Sequence, residues 1–104
     1  MESNAQSSQG LAPSVPAEEI DALLARCRYE SFVVPGTTTT LVAVVLDTFV
    51  LEVGHSSCVS PENFDADIGY KYAREDAEKR ARAKLWELKG WELWQSGRAQ
   101  DDRA

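Results

Sequence analysis

The sequence predicts an α+β fold: a short N-terminal helix, a β-hairpin, and a long C-terminal helix packed on the sheet. Two observations carry that prediction. Thr37 to Ser57 holds two β-branched, strongly apolar runs separated by Asp47-Thr48, the pattern of a hairpin. From Ala66 to Leu88, apolar residues recur every three or four positions among charged ones, the pattern of an amphipathic helix. With 104 residues and 43% hydrophobic content, the chain has material for one globular domain.

Residues 1–16 are Ser, Gln, Asn, Ala and Pro without a hydrophobic period, so they bury too little surface to offset the entropy of ordering and read as a disordered tail. The domain is expected over 17–96, with a second polar tail at 97–104. Ala17 to Arg28 places Ile20, Leu23, Leu24 and Cys27 at helical spacing, with Glu18 and Glu19 near the positive end of the dipole and Arg26 and Arg28 near the negative end. Tyr29 to Val34 reads either as a third short strand or as the returning chain, and Pro35-Gly36 ends it in a turn.

Thr37 to Leu46 becomes continuously apolar from Leu41, which predicts a strand buried on both faces. The second strand, Phe49 to about Ser57, would put Phe49, Leu51 and Val53 on one face and Val50 and Glu52 on the other. Ser60-Pro61 and then Asp65 and Asp67 are helix-start signals, so the long helix should begin within 61–66. Its apolar stripe is Ala66, Tyr70, Ala73, Ala77, Ala81, Leu85 and Leu88, while Asp67, Lys71, Glu75, Glu78, Lys79 and Arg82 form a solvated face of alternating sign. Gly69 falls in the first turns, where glycine costs about 1 kcal/mol against alanine, which implies close approach of a backbone or a ligand. Lys89-Gly90 reads as the helix stop, followed by an apolar patch of Trp91, Leu93 and Trp94.

A two-stranded hairpin covered by one long and one short helix is marginal alone, and a strand apolar on both faces asks for further cover. A homodimer or homotetramer is therefore expected, with Leu41, Val45, Trp86, Trp91 and Trp94 at the interface. The formal charge of −6 disfavours direct contact with a nucleic-acid backbone. No apolar run is long enough to span a bilayer and no signal-peptide pattern precedes the domain, which points to the cytoplasm, where Cys27 and Cys58 would stay reduced as apolar filler.

Candidate chemistry is sparse. His55 and Cys58 are spaced as His-x-x-Cys, but structural zinc needs four ligands and the chain offers no second histidine, so no metal is expected. Ser56 and Ser57 beside His55 lack any turn that would present a nucleophile, so no catalytic residues and no cofactor are expected. The Gly36 to Thr40 run lacks the glycine and lysine spacing of a phosphate loop.

The run Ser57-Cys58-Val59, then Pro61, Asn63-Phe64-Asp65 and Ile68-Gly69, followed by Ala73, Ala77 and Leu85-Trp86-Glu87-Leu88, resembles a family of short phage and prophage proteins. Its type members are the gp-forty-nine protein of coliphage N-four and gene sixty-six of Shigella phage Sf-six, and the likeness spans roughly residues 18 to 94. Two departures stand out: Asp47-Thr48 replaces an Asn-Gly type turn, and Ser56 stands where an acidic residue is usual. The resemblance implies a phage accessory protein in the host bacterial cytoplasm and supplies no catalytic residues.

Two functions follow from that setting. One is a non-enzymatic counter-defence protein that sequesters a host nucleotide immune signal of the cyclic oligonucleotide type, in a pocket between subunits. Its candidate ligand residues are Thr38, Thr40, Ser57, Ser60, Asn63, Phe64, Gly69 and Tyr70, offering hydroxyls, a helix start and stacking rings. The other is an inhibitor that binds a host defence enzyme or CRISPR complex through the acidic surface or the tryptophans.

Overall fold

Three alanines and one glycine set the architecture. In the computed structural model, which describes residues 14–103 and the side chains of 14–97, helix α2 (Ala66–Arg103) lies across a three-stranded antiparallel sheet. Ala73, Ala77 and Ala81 on its inner stripe are fully buried, and Gly54 of β3 (Phe49–Ser57) lies beneath them. A Cβ built on Gly54 would stand 2.2 Å from the Ala77 nitrogen and 2.6 Å from the Ala73 carbonyl oxygen. Both atoms are backbone, so helix and strand meet at a distance only glycine permits.

The sheet order is β1-β2-β3, with β1 at Arg28–Val33 and β2 at Thr39–Leu46. The returning segment after α1 (Ala17–Ala25) is thus a true third strand, paired from Arg28 opposite Val45 to Val33 opposite Thr40. Helix α1 is shorter than the predicted 17–28, because Arg26 and Cys27 form its end turn and Arg28 already belongs to the sheet. Strand β2 starts at Thr39, two residues late, since Thr37 closes the turn with its backbone N–H and hydroxyl on the Val34 carbonyl. In that turn Gly36 takes φ +77, and in the hairpin turn Asp47 alone takes positive φ (58), so the neighbouring threonine is not strained.

Two expectations about the sheet are corrected. Leu41 to Leu46 is only partly covered on its second side: Val42 and Val44 point into the core under α2, while on the opposite face Val45 is buried but Leu41 and Ala43 are only half-buried. Leu51 and Val53 do not share a face, although Phe49, opposite Leu46, stays on the side of Leu51. A bulge between Val44 and Val45 pairs Val44 with Glu52 and Val45 with Val50, leaving Leu51 as the extra residue, and it is buried while Phe49 and Val53 are exposed.

The core is Ile20, Leu24, Val42, Val44, Leu51, Ala73, Ala77, Ala81 and Leu85, with Tyr29, Leu46 and Tyr70 packed at its margin. Helix α1 is fixed beside α2 by ion pairs from Arg82 to Asp21 (2.8 Å) and Lys89 to Glu19 (2.7 Å). Arg82, expected on the solvated face, thereby reaches across to the other helix. Exposed pairs of this kind are each worth less than about 1 kcal/mol, so they orient α1 more than they stabilise it.

The expected stop at Lys89-Gly90 is also overturned, because α2 continues through Gly90 and Gly97 to Arg103, taking in the segment read as a polar tail. A single interior glycine costs about 1 kcal/mol, and no proline follows to break the hydrogen-bond ladder. Across Gly90, Lys89 reaches Glu92 (2.6 Å) and Trp91 stacks on Trp94 with ring centroids 5.0 Å apart, both at the i, i+3 spacing that supports a helix. Of the predicted N-terminal tail, residues 1–13 lie outside the described residues. Among the described residues no helix is long and apolar enough to cross a membrane.

Candidate functional site

The hinge between sheet and long helix creates the site. After β3 the chain makes a single 3₁₀ turn at Pro61–Asn63, then enters α2 with Asp65 as its cap. One carboxylate oxygen of Asp65 accepts from the backbone N–H groups of Asp67 (2.9 Å) and Ile68 (3.2 Å), so the positive end of α2 already holds an anion. Cys58 ties the connection down twice: its N–H donates to the Thr38 carbonyl, and its thiol donates to the Ser60 carbonyl at 3.2 Å. The Thr38 hydroxyl donates in turn to the Cys58 carbonyl.

These restraints frame a cavity of about 220 Å³ between the end of the sheet and the first turns of α2. Thr38, Ser56, Ser57 and Cys58 form one wall, and Asn63, Phe64, Asp65, Ile68, Gly69 and Tyr72 form the other. Most of the lining is carbon, and Phe64, Ile68 and Tyr72 are its large apolar side chains. Among the lining residues Asp65 is the one charged side chain, and the nearby cation is Lys71, whose Nζ lies 5.5 Å from the centre of the Tyr72 ring.

Five of the eight predicted ligand residues meet here: Thr38, Ser57, Asn63, Phe64 and Gly69. Thr40, Ser60 and Tyr70 do not line the cavity. Thr40 lies underneath it, 2% exposed, with a hydroxyl that has no hydrogen-bond partner among the described residues. Its Oγ1 would be 2.7 Å from a Cβ on Gly69, so the close approach inferred for Gly69 comes from the Thr40 side chain. The Ser60 hydroxyl turns away to Glu62 (2.7 Å) and holds that carboxyl below its usual range. Tyr70 faces β1, where its hydroxyl accepts from Arg74 (3.4 Å), and the Arg74 guanidinium stacks 4.0 Å over the Tyr29 ring.

Sequence reasoning missed Ser56, Cys58, Asp65, Ile68 and Tyr72 as lining residues. The signal was present in part, because 65, 68 and 72 step by three and four along a face of α2 adjacent to the alanine stripe. The cavity belongs to a single chain, so the expected placement between subunits is not needed to form it. The predicted interface residues likewise do not form one surface: Leu41 and Val45 lie on the sheet face away from α2, whereas Trp86, Trp91 and Trp94 lie on α2.

Chemistry at the remaining candidates is quiet. The Ser57 hydroxyl is paired with that of Thr39 (2.7 Å), and the His55 N–H donates to Asp76 Oδ2 (3.0 Å). No cluster of three or more His, Cys, Asp or Glu able to hold a metal occurs among the described residues. Both cysteines are free, and burial pushes the Cys27 thiol up, away from the reactive thiolate.

No curated protein and no solved structure matches the chain. A family model does match, over residues 15–96, which takes in the whole helix–sheet body, the cavity and both exposed tryptophans of the helix tip. The chain therefore belongs to the phage protein (N4 Gp49/phage Sf6 gene 66) family.

Proposed function

We propose that this phage protein is a non-enzymatic counter-defence factor that captures a host nucleotide signal of the cyclic oligonucleotide type, one base entering each cavity. The supporting observation is the cavity itself: a largely apolar slot bordered by the Phe64 and Tyr72 rings, with the Lys71 ammonium beside the outer ring. Ligand pockets for whole drug-sized molecules run from about 300 to 1,000 Å³, so a slot of about 220 Å³ suits a single ring system. The occupied cap at Asp65 leaves no room for a phosphate on the α2 terminus, so the phosphates of such a ligand would stay outside, toward Lys71. Asn63 and Ser56 offer hydrogen bonds to a base edge. Each copy carries its own cavity, so capture scales with the amount of protein made.

Calorimetry against a panel of cyclic di- and trinucleotides tests this reading, with recovery of the ligand after heating the complex. The expected result is heat with at least one member and intact ligand on release. Base stacking on an aromatic side chain is worth about 1–3 kcal/mol, so Tyr72→Ala should weaken binding between about 5- and 150-fold. Lys71→Ala should reduce the salt dependence. Silence across the whole panel would sink the reading, and recovery of hydrolysed ligand would make the protein an enzyme.

A second reading is favoured by one observation. Trp91 and Trp94 stand 57% and 51% exposed on the helix tip, and exposed tryptophans are frequent anchors of protein interfaces. In that reading the tip docks on a host defence protein or a CRISPR complex and inhibits it. Capture of such a partner that is lost in Trp91→Ala, together with silence across the nucleotide panel, would select it.

A further inference from the structure

Among the described residues, the face of the sheet that points away from α2 is apolar, ordered in rows and open at Phe32, Val50 and Val53, with Val45 buried between its neighbours. Residues directly opposite one another across antiparallel strands share a face, so the pairing gives the rows Phe32–Leu41–His55, Glu30–Ala43–Val53 and Arg28–Val45–Val50. Phe32, Val50 and Val53 are 58%, 49% and 42% exposed. Neither helix reaches this side, because the residues that α1 and α2 bury project from the other one. We infer that this face is the docking surface for a second copy of the same chain, giving a dimer layered helix, sheet, sheet, helix.

Charge favours a second copy over a strongly charged partner. The chain carries −6 overall, so two copies repel across most of their surfaces. On this face the charged residues are Arg28 and Glu30, and they are paired with each other at 3.0 Å, leaving a neutral patch. Face-to-face stacking joins the two neutral patches and leaves the acidic α2 helices on opposite outer sides. A basic partner would find nothing to pair with here.

Edge-to-edge joining at β3 is disfavoured, because the outward N–H of His55 is already taken by Asp76 of α2. The area fits a weak dimer. Three strands ~4.8 Å apart with six paired residues at ~3.3 Å each give a face of about 14 by 20 Å, or about 560 Å² for two copies before side-chain relief is added. That total falls below the ~1,200 Å² of standard specific interfaces, so association should be weak and depend on concentration. The inference does not depend on the ligand reading, since the cavity is complete in one chain.

Light scattering coupled to gel filtration, run from about 1 to 500 µM, tests it. The expected mass rises from 11.5 kDa to twice that value as concentration increases. Val53→Glu puts a buried charge at the interface but an exposed one in the free chain, so it should remain at 11.5 kDa throughout with an unchanged circular-dichroism spectrum. Phe32→Ser should raise the dimer dissociation constant at least tenfold, and the Trp91→Ala, Trp94→Ala double variant should leave it unaltered. A parent protein that is monomeric at every concentration overturns the inference. So does a dimer that survives both sheet variants or is lost in the tryptophan variant.

Discussion

Replacing Gly54 with alanine tests how α2 is held. The added Cβ would fall 2.2 Å from Ala77 N, 2.5 Å from Ala77 Cα and 2.6 Å from Ala73 O. Ordinary carbon contacts are about 3.5–4.0 Å, so relief requires the helix to lift or slide by more than 1 Å. No flexible side chain is available to yield, because every obstructing atom is backbone. Overpacking in a core costs typically 1–3 kcal/mol, and with rigid obstruction about 3 kcal/mol is expected for Gly54→Ala. For a body of about 80 residues, total stability is roughly 4–12 kcal/mol, so the change removes a large share. Urea unfolding followed at 222 nm should show the midpoint falling by about 2 M at a slope of about 1.5 kcal/mol per M. Gly90→Ala is the matched control, because nothing lies within 4 Å of its Cβ position in the interior of α2. It should raise stability by up to about 1 kcal/mol. If Gly54→Ala stays within about 0.5 kcal/mol of the parent, surface-level noise for a substitution, the close approach of strand and helix is wrong.

Other substitutions probe the same region. Thr40→Val removes a buried hydroxyl that has no partner and should stabilise the fold by about 1 kcal/mol in the same urea assay, with a loss of stability counting against its burial. Asp76 is held below the usual carboxylate range by its bond to Arg80 and, to a lesser degree, by the N–H of His55. A depressed folded pKa contributes stability above the unfolded value near 3.9 and loses it as pH falls through the folded one. The stability gap between the parent and Asp76→Asn should therefore be constant above about pH 5 and narrow below about pH 4. A gap that is flat down to pH 2 would show that the carboxylate is not held by these contacts.

The readable parts of the chain were those in which one local pattern decides the outcome. Thr37 to Ser57 could be read as a hairpin and Ala66 to Leu88 as a helix because period two and period 3.6 are properties of a few neighbouring residues. The bulge at Leu51 was not readable, since it depends on how two strands align, and an alternating pattern in one strand carries no information on slippage against another. The run Leu41 to Leu46 suggested two covered faces, yet apolar content reports only a wish for cover, and this chain supplies it fully on one side and, beyond Val45, only in part on the other. Lys89-Gly90 misled because a C-terminal stop requires the glycine to adopt a left-handed conformation, a choice made by the residues that follow, here helix formers. At the cavity, Asn63, Phe64 and Gly69 were found through their place at the helix start. Tyr70 belongs to the stripe that faces the core, whereas Tyr72, two positions on, lines the slot, a distinction of one helix face that the stripe alone does not make.

The alanine seat of α2 also makes the rest of that helix a lever. Beyond Leu85 the described rod has no core residue, and Trp94 lies 17 positions past the pivot at Ala77, about 26 Å along the axis. A tilt of ~10° at the seat would swing the indole pair by roughly 4–5 Å, a displacement comparable to one turn of helix. Whatever shims the strand at residue 54 therefore aims the far tryptophans, and the smallest side-chain change in the sheet would be read well beyond the core.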